Sequence, residues 1–178
     1  MFESVSKYLR LVKFSHTIFA MPFALVAFAY ALWSSDAEFS WWLLLQVVLC
    51  MVFARNVAMG FNRWADRFID AENPRTAQRE IPAGVVSPRD AMLFIVVNGV
   101  LFIALAATIN PLCGWLSPVA LAVVCFYSYC KRFTALAHLV LGLSLGIAPV
   151  GAYMAVTGTA AAECWLLALV VMTWCSGF

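Results

Sequence analysis

Long apolar runs alternate with short polar stretches along most of the chain. A helix needs about 20 mostly apolar residues to cross a hydrocarbon core of roughly 30 Å, and six runs approach or reach that length. They are residues 14–34, 41–61, 91–108, 112–130, 136–156 and the run from residue 164 onward. The first run is followed by Ser34, Ser35 and Asp36 and lacks a small-residue cleavage site, so we expect it to remain as a span. The pattern predicts an all-α, multi-pass transmembrane helical bundle, with residues 1–178 forming a single membrane domain.

The composition agrees with this pattern and excludes a soluble domain. Hydrophobic residues make up 65% of the chain and charged residues only 11%, whereas soluble domains carry about 25% charged residues. The lipid bilayer is therefore the first expected partner, and the net charge of +2 indicates no nucleic-acid surface. All six cysteines lie in apolar runs without a C-x-x-C pair, which is typical of small buried side chains.

The basic residues lie on one predicted side of the bundle. They precede the first run, lie between the second and third runs, or join the fourth and fifth; the other connections carry none. By the positive-inside rule, the N-terminus and both basic loops are predicted to be cytoplasmic. Arg55, inside the second run, is the exception. A guanidinium at that depth costs roughly 2.5 to 3.5 kcal/mol, so we expect Arg55 to face the same interior as the charged segment that follows.

The segment 62–90 between the second and third runs carries the candidate chemistry. Asn62, Asp66 and Asp70 recur every four residues, and each step of four on a helix turns the side chain by about 40°. They should form one polar stripe. Two carboxylates one turn apart repel each other, and Mg²⁺ binds through one or two carboxylates together with substrate phosphates. The stripe therefore indicates a magnesium site.

Arginines accompany the stripe, and guanidinium groups suit phosphate oxygens. Beside it are Arg63 and Arg67, then Arg75 and Arg79; Lys131 and Arg132 lie in a second cluster, "YSYCKRFT". Acidic and basic groups together indicate a metal-bridged polyphosphate site. The alternative is a solvated helix at the membrane surface, whose charges pair with one another and with lipid headgroups. Asn73-Pro74 is predicted to end this helix, and the turn at 82–84 to close the loop.

Both clusters resemble motifs of the UbiA-type intramembrane aromatic prenyltransferases. "NRWADRFIDAENPRTAQREIPAG" is similar to that family's N-x-x-x-D-x-x-x-D followed by R-T-x-x-R-x-I-P-x-G, and "YSYCKRFTALAHLVLG" to its Y-x-x-x-K-R-x-T motif. The resemblance covers most of the chain from Leu11 onward, including "VKFSHTIFAMPFAL". Within the family, the chain resembles the bacterial 4-hydroxybenzoate polyprenyltransferases and their relatives that act on naphthoates. His16, within that last stretch, is a candidate substrate contact.

The resemblance implies a Mg²⁺-dependent enzyme of quinone biosynthesis in the bacterial inner membrane. Such an enzyme transfers a polyprenyl group from polyprenyl diphosphate to an aromatic acid, here 4-hydroxybenzoate or a hydroxynaphthoate. The metal ligands would be Asn62, Asp66 and Asp70. The groups contacting the diphosphate would be Arg75, Arg79, Lys131 and Arg132.

One departure from the family pattern affects the expected architecture. Family members have nine spans and a second aspartate motif that follows W-x-x-G-F, whereas this sequence ends at "WCSGF". We therefore expect the N-terminal two-thirds of such a bundle, with about six of nine spans and half of the metal ligands, inactive by itself. The alternatives are a non-catalytic membrane remnant or transporter that binds prenyl diphosphate, and a haem-type farnesyltransferase.

Overall fold

A computed structural model describes residues 7–8, 10–12, 17–130, 132–134 and 137–176, and every regular element in these ranges is helical. The predicted all-α fold is therefore confirmed. Seven helices follow one another along the described part of the chain. They are α1 (Thr17–Ser34), α2 (Trp41–Ala65), α3 (Arg67–Glu72), α4 (Pro88–Ile109), α5 (Pro111–Cys130), α6 (Ala137–Thr157) and α7 (Ala162–Ser176).

Local sequence signals explain where these helices begin and end. Ser40 caps α2, because its hydroxyl accepts a hydrogen bond of 3.3 Å from the backbone N–H of Leu43. Ser87 caps α4 in the same way through the N–H of Asp90, and Pro88 occupies the first turn, where its missing N–H does no harm. The helix α3 ends immediately before Asn73-Pro74, as the sequence predicted.

Each predicted span corresponds to one helix of the bundle. Four of these helices, α2, α4, α5 and α6, are long and apolar enough to cross a membrane. The other two contribute shorter apolar stretches within the described residues, Met21–Ser34 of α1 and Ala162–Cys175 of α7. Four of the six predicted spans thus have the expected length and composition, and membrane crossing by α1 and α7 stays a prediction.

Two glycines allow α6 and α7 to pack closely. A Cβ atom added at Gly142 would lie 2.7 Å from the carbonyl oxygen of Met172, and one at Gly146 would lie 3.0 Å from that of Ala168. These glycines are four residues apart, so they lie on the same face of α6 and form the small-xxx-small surface that lets membrane helices approach. A different part of α6 packs against α1 in a buried cluster that includes Ala27, Phe28 and Ala152.

Hydrogen bonds between side chains connect α2, which carries the candidate residues, to α4. The amide of Asn56 donates to Oδ1 of Asn98 over 2.8 Å, and Gln46 donates to Thr108 over 2.9 Å. Such bonds between membrane helices contribute about 0.6 kcal/mol each. They fix how far along its axis α2 lies relative to α4.

The loop between α3 and α4 is anchored by its own apolar residues. Ile81 and Val86 are buried in a small cluster with Leu11 and with Ala91 of α4. Between them, Gly84 adopts a positive φ of 72°, which a glycine accommodates without strain. The loop therefore has a defined position on the end of the bundle. The charged segment 62–90 is only partly a loop, since it begins in α2, includes α3 and ends in the first turn of α4.

Candidate functional site

The candidate stripe lies where α2 passes into α3. Asp66 separates the two helices, with φ of −84° and ψ of 0°. The helical hydrogen bonds nevertheless continue through it, because the N–H of Asp66 donates to the carbonyl of Asn62 over 3.0 Å and that of Asp70 to the carbonyl of Asp66 over 2.8 Å. The three residues therefore lie on successive helical turns, as their spacing predicted.

Both carboxylates of the stripe are buried and ion-paired. Asp66 and Asp70 are each only 6% exposed. Nη1 of Arg79 lies 2.7 Å from Oδ1 and 2.8 Å from Oδ2 of Asp70. Nη2 of Arg132 lies 3.2 Å from Oδ1 of Asp66 and also donates to the carbonyl of Ala65 over 2.8 Å. Two of the four cations that the resemblance assigned to the diphosphate thus contact two of the three candidate metal ligands.

The other two assigned cations are placed differently. Arg75 is exposed, and its backbone N–H donates to Oδ1 of Asn73 over 3.0 Å in the turn after α3. Within the described ranges its side chain makes no ion pair with either aspartate. Lys131 lies outside the described residues, as does His16.

A fifth basic residue, Arg63, lies within the carboxylate cluster, although the family resemblance did not assign it to the diphosphate. Its residue is only 5% exposed, and its charge interacts with those of Asp66, Asp70, Arg79 and Glu80. Nη1 of Arg63 is buried and has no hydrogen-bond partner among the described residues. The cluster therefore contains a buried guanidinium nitrogen that has no hydrogen-bond partner in the described part of the protein.

Arg67, which the sequence placed beside the stripe together with Arg63, points elsewhere. Its Nη1 donates to the carbonyl of Trp64 over 2.7 Å, and its guanidinium lies 4.4 Å from the ring centre of Trp64 and 4.3 Å from that of Phe68. Stacking on two aromatic rings satisfies the cation at the protein surface. The four-residue spacing alone could not distinguish these two arginines.

Arg55 lies deeper along the same helix. It precedes Asn62 by seven residues, which is two turns, so the two residues share a face of α2. Its Nε is buried and has no hydrogen-bond partner within the described ranges. This position agrees with the expectation that Arg55 faces the interior rather than lipid.

The donor set of the stripe fits magnesium held jointly with a phosphate ligand. The described residues contain no group of three or more His, Cys, Asp or Glu side chains that could hold a metal on their own. Two buried carboxylates and the amide oxygen of Asn62 are nevertheless the hard oxygen donors that Mg²⁺ takes, and it commonly uses one or two carboxylates plus substrate phosphates. Such a cation would compete for carboxylate oxygens that now accept arginine N–H groups.

The conserved sequence pattern of the UbiA prenyltransferase family matches residues 20–178. The 4-hydroxybenzoate octaprenyltransferase of Edwardsiella ictaluri (strain 93-146) is 37% identical over 147 residues, which cover 82% of this chain and 51% of that protein. The chain thus spans about half the length of the curated relatives it matches.

Solved structures have the same fold. The apo structure of a UbiA homolog from Aeropyrum pernix K1 matches with a TM-score of 0.82 and 33% identity, covering 92% of this chain and 61% of that one. A UbiA homolog from Archaeoglobus fulgidus bound to DMAPP and Mg²⁺ matches with a TM-score of 0.77 and 21% identity, covering 94% and 61%. With a family pattern that extends over most of its length and the matching helical fold, this chain belongs to the UbiA prenyltransferase family.

Proposed function

We propose that this chain carries the diphosphate-binding part of a Mg²⁺-dependent prenyltransferase. Its donor substrate is a polyprenyl diphosphate, and its acceptor is an aromatic acid, 4-hydroxybenzoate or a hydroxynaphthoate. The observation that carries the proposal is the pair of buried carboxylates, Asp66 and Asp70, each contacted by an arginine at one end of the bundle. The name of the Edwardsiella ictaluri relative supports the acceptor, and the DMAPP and Mg²⁺ bound to the Archaeoglobus fulgidus homolog support the donor and the cation.

The reaction requires negative charge to be stabilised on the leaving diphosphate as its bond to the allylic carbon breaks. When bound, Mg²⁺ would supply part of that stabilisation. Asn62, Asp66 and Asp70 would hold the cation. Arg79 and Arg132, with Arg75 and Lys131 nearby in the chain, would donate hydrogen bonds to the phosphate oxygens where charge develops, and this is usually the largest single contribution to catalysis.

The apolar bundle around the cluster has a second role in this proposal. Loss of diphosphate leaves an allylic carbocation at the end of the prenyl chain, and water would quench it. Helices that are apolar enough to span a membrane would keep water away from that carbon until the electron-rich ring of the acceptor attacks it. The ring then loses a proton to a base, for which the departed diphosphate is available, and this loss restores its aromaticity.

The arrangement of the chain supports one orientation in the membrane. The end of α2, the loop carrying Arg79 and the segment after α5 meet at the same end of the bundle, since Arg132 contacts both Ala65 and Asp66. These are the segments that carry most of the basic residues. We propose that this end is cytoplasmic and that the membrane is the bacterial inner membrane.

The proposal is tested by binding and by transfer. The chain in lipid nanodiscs is titrated with geranyl thiolodiphosphate, a donor whose leaving group departs slowly, in Mg²⁺ or in EDTA. Transfer of a labelled polyprenyl group to 4-hydroxybenzoate or 1,4-dihydroxy-2-naphthoate is then followed for the chain as it stands. A parallel assay uses the chain continued by the matching remainder of the Edwardsiella ictaluri relative.

We expect donor binding that depends on Mg²⁺ and on Asp66, and product from the continued chain with one of the two acids. Donor binding that is the same in EDTA would contradict the role of the cation. Mg²⁺-dependent binding with no transfer to either acid, even in the continued chain, would favour a binding protein or transporter instead.

A further inference from the structure

Arg63 is a buried charge with an unsatisfied hydrogen-bond donor. Its residue is 5% exposed, and Nη1 has no partner in the described part of the chain. Buried charged groups are almost always paired, because leaving one unpaired is strongly unfavourable. A guanidinium in this state is suited to a partner that arrives from outside the chain.

Two of the three carboxylates that interact with the charge of Arg63 are already engaged. Arg63 precedes Asp66 by three residues and Asp70 by seven, so all three lie on one side of the α2–α3 helix pair. Both carboxylate oxygens of Asp70 accept a hydrogen bond from Arg79, and Asp66 accepts one from Arg132. Arg63 makes no ion pair with either of them in the described ranges.

The charge balance of the cluster identifies the class of the missing partner. Three arginines, Arg63, Arg79 and Arg132, stand against the three acidic residues Asp66, Asp70 and Glu80, so the described cluster is neutral. Binding of a divalent cation to the carboxylates would make it positive. A multiply charged anion such as a diphosphate would restore the balance in a single ligand.

From this we infer that Arg63 binds the diphosphate of the prenyl donor, as a phosphate ligand additional to the four residues that the family resemblance implied. The inference rests on the proposed function. Guanidinium groups recognise phosphate through paired, charge-assisted hydrogen bonds, and Nη1 of Arg63 is available for one of them. The acceptor's single carboxylate fits less well, because it would approach two aspartates without bringing a cation of its own.

The test compares variants of the chain in lipid nanodiscs by calorimetric titration with geranyl thiolodiphosphate in Mg²⁺. Arg63→Gln should weaken binding by at least about tenfold, because it removes a charge-assisted hydrogen bond. Arg63→Lys keeps the positive charge but loses the paired N–H donors of the guanidinium, so it should bind the donor with intermediate affinity. Arg67→Gln is the matched control, since Arg67 stacks on Trp64 and Phe68, and it should stay within about twofold of the unaltered chain.

Thermal unfolding without ligand separates this role from a structural one. If Arg63 binds the ligand and does not stabilise the fold, Arg63→Gln should unfold at the same temperature as the unaltered chain or higher, because it removes an unsatisfied buried charge. A lower midpoint together with unchanged donor affinity would show a structural residue and overturn the proposal. Should Arg63→Gln fail to fold, Arg63→Lys decides, and donor affinity equal to that of the unaltered chain would overturn it.

Two further outcomes separate this inference from the proposed function. If the unaltered chain binds the donor with Mg²⁺ and both Arg63 variants bind it equally well, the role of Arg63 is wrong and the proposed function stands. If the unaltered chain shows no Mg²⁺-dependent binding, both are wrong. A parallel titration with 4-hydroxybenzoate covers the acceptor, and loss of that binding alone in Arg63→Gln would assign Arg63 to the acceptor and overturn the proposal.

Discussion

Nη1 of Arg79 lies within 2.8 Å of both carboxylate oxygens of Asp70, and Asp70 itself is 6% exposed. The guanidinium therefore occupies oxygen lone pairs that a cation bound by Asp70 would need. In the proposed reaction, a diphosphate offers Arg79 other oxygens and brings a cation for Asp70. Arg79 and the cation would then exchange positions around the carboxylate, which makes metal binding depend on the diphosphate.

Arg79→Ala should separate metal binding from diphosphate binding. Without the competing guanidinium, the cation alone should bind more tightly, by about tenfold for one lost charge-assisted interaction. Affinity for geranyl thiolodiphosphate in the presence of the cation should fall. Affinity for the cation is measured by electron paramagnetic resonance of Mn²⁺, a paramagnetic substitute for Mg²⁺. Affinity for geranyl thiolodiphosphate is measured by calorimetric titration. The control for metal binding is Arg75→Ala, because the side chain of Arg75 is exposed and does not contact Asp70. Unchanged Mn²⁺ affinity in Arg79→Ala would contradict the exchange of Arg79 and the cation at Asp70.

Asp70→Asn should weaken both the ligand site and the fold. The change leaves the guanidinium of Arg79 without its carboxylate, and because that side chain is 34% exposed, solvent limits the loss to about 1 to 2 kcal/mol of unfolding free energy. Mg²⁺-dependent donor binding should fall by at least about tenfold. Denaturant unfolding in mixed micelles measures the stability and titration the binding. Combining Asp70→Asn with Arg79→Gln should recover part of the stability but none of the donor binding, and recovery of both would argue against a metal ligand at Asp70.

The apolar pattern predicted the helices well because membrane crossing imposes length and hydrophobicity together. The predicted runs 112–130 and 136–156 correspond to α5 (Pro111–Cys130) and α6 (Ala137–Thr157), and no end is wrong by more than one residue. The ends are less predictable where polar groups continue a helix. The second run was expected to end at residue 61, but α2 continues to Ala65, because the N–H of Asp66 still donates to the carbonyl of Asn62.

The site was predictable in its repeating residues but not in its side-chain partners. The spacing of Asn62, Asp66 and Asp70 places them on successive turns whatever the rest of the chain does. The contact between Arg132 and Asp66 joins residues far apart in sequence and depends on how α5 packs beside α2. The burial of Arg63 likewise depends on its surroundings, since Arg67, with the same side chain, finds aromatic rings instead.

Gly142→Ala should weaken the packing of α6 against α7. The new Cβ atom would lie 2.7 Å from the carbonyl oxygen of Met172, and backbone has to move to relieve the clash. Such overpacking costs about 1 to 3 kcal/mol. Gly151→Ala, on the same helix, is the control, because a Cβ atom there meets nothing within 4 Å. Thermal unfolding of the two variants should show a lower midpoint for Gly142→Ala alone, and equal midpoints would mean that α7 is not held against this face.

Ile81→Ala should loosen the loop that carries Arg79. Ile81 is 6% exposed and packs with Val86 and with Leu11, so removing its side chain takes away an anchor two residues from the ion pair with Asp70. We expect faster cleavage by trypsin after Arg75 and Arg79, and weaker donor binding by several-fold, because the loop must be ordered again when the phosphate binds. Val85→Ala changes an apolar residue of the same loop that is 50% exposed, and it should leave both measurements unchanged. Faster cleavage with unaltered donor affinity in Ile81→Ala would show that Arg79 contributes nothing to the phosphate site, because its freedom would then have no effect on the ligand.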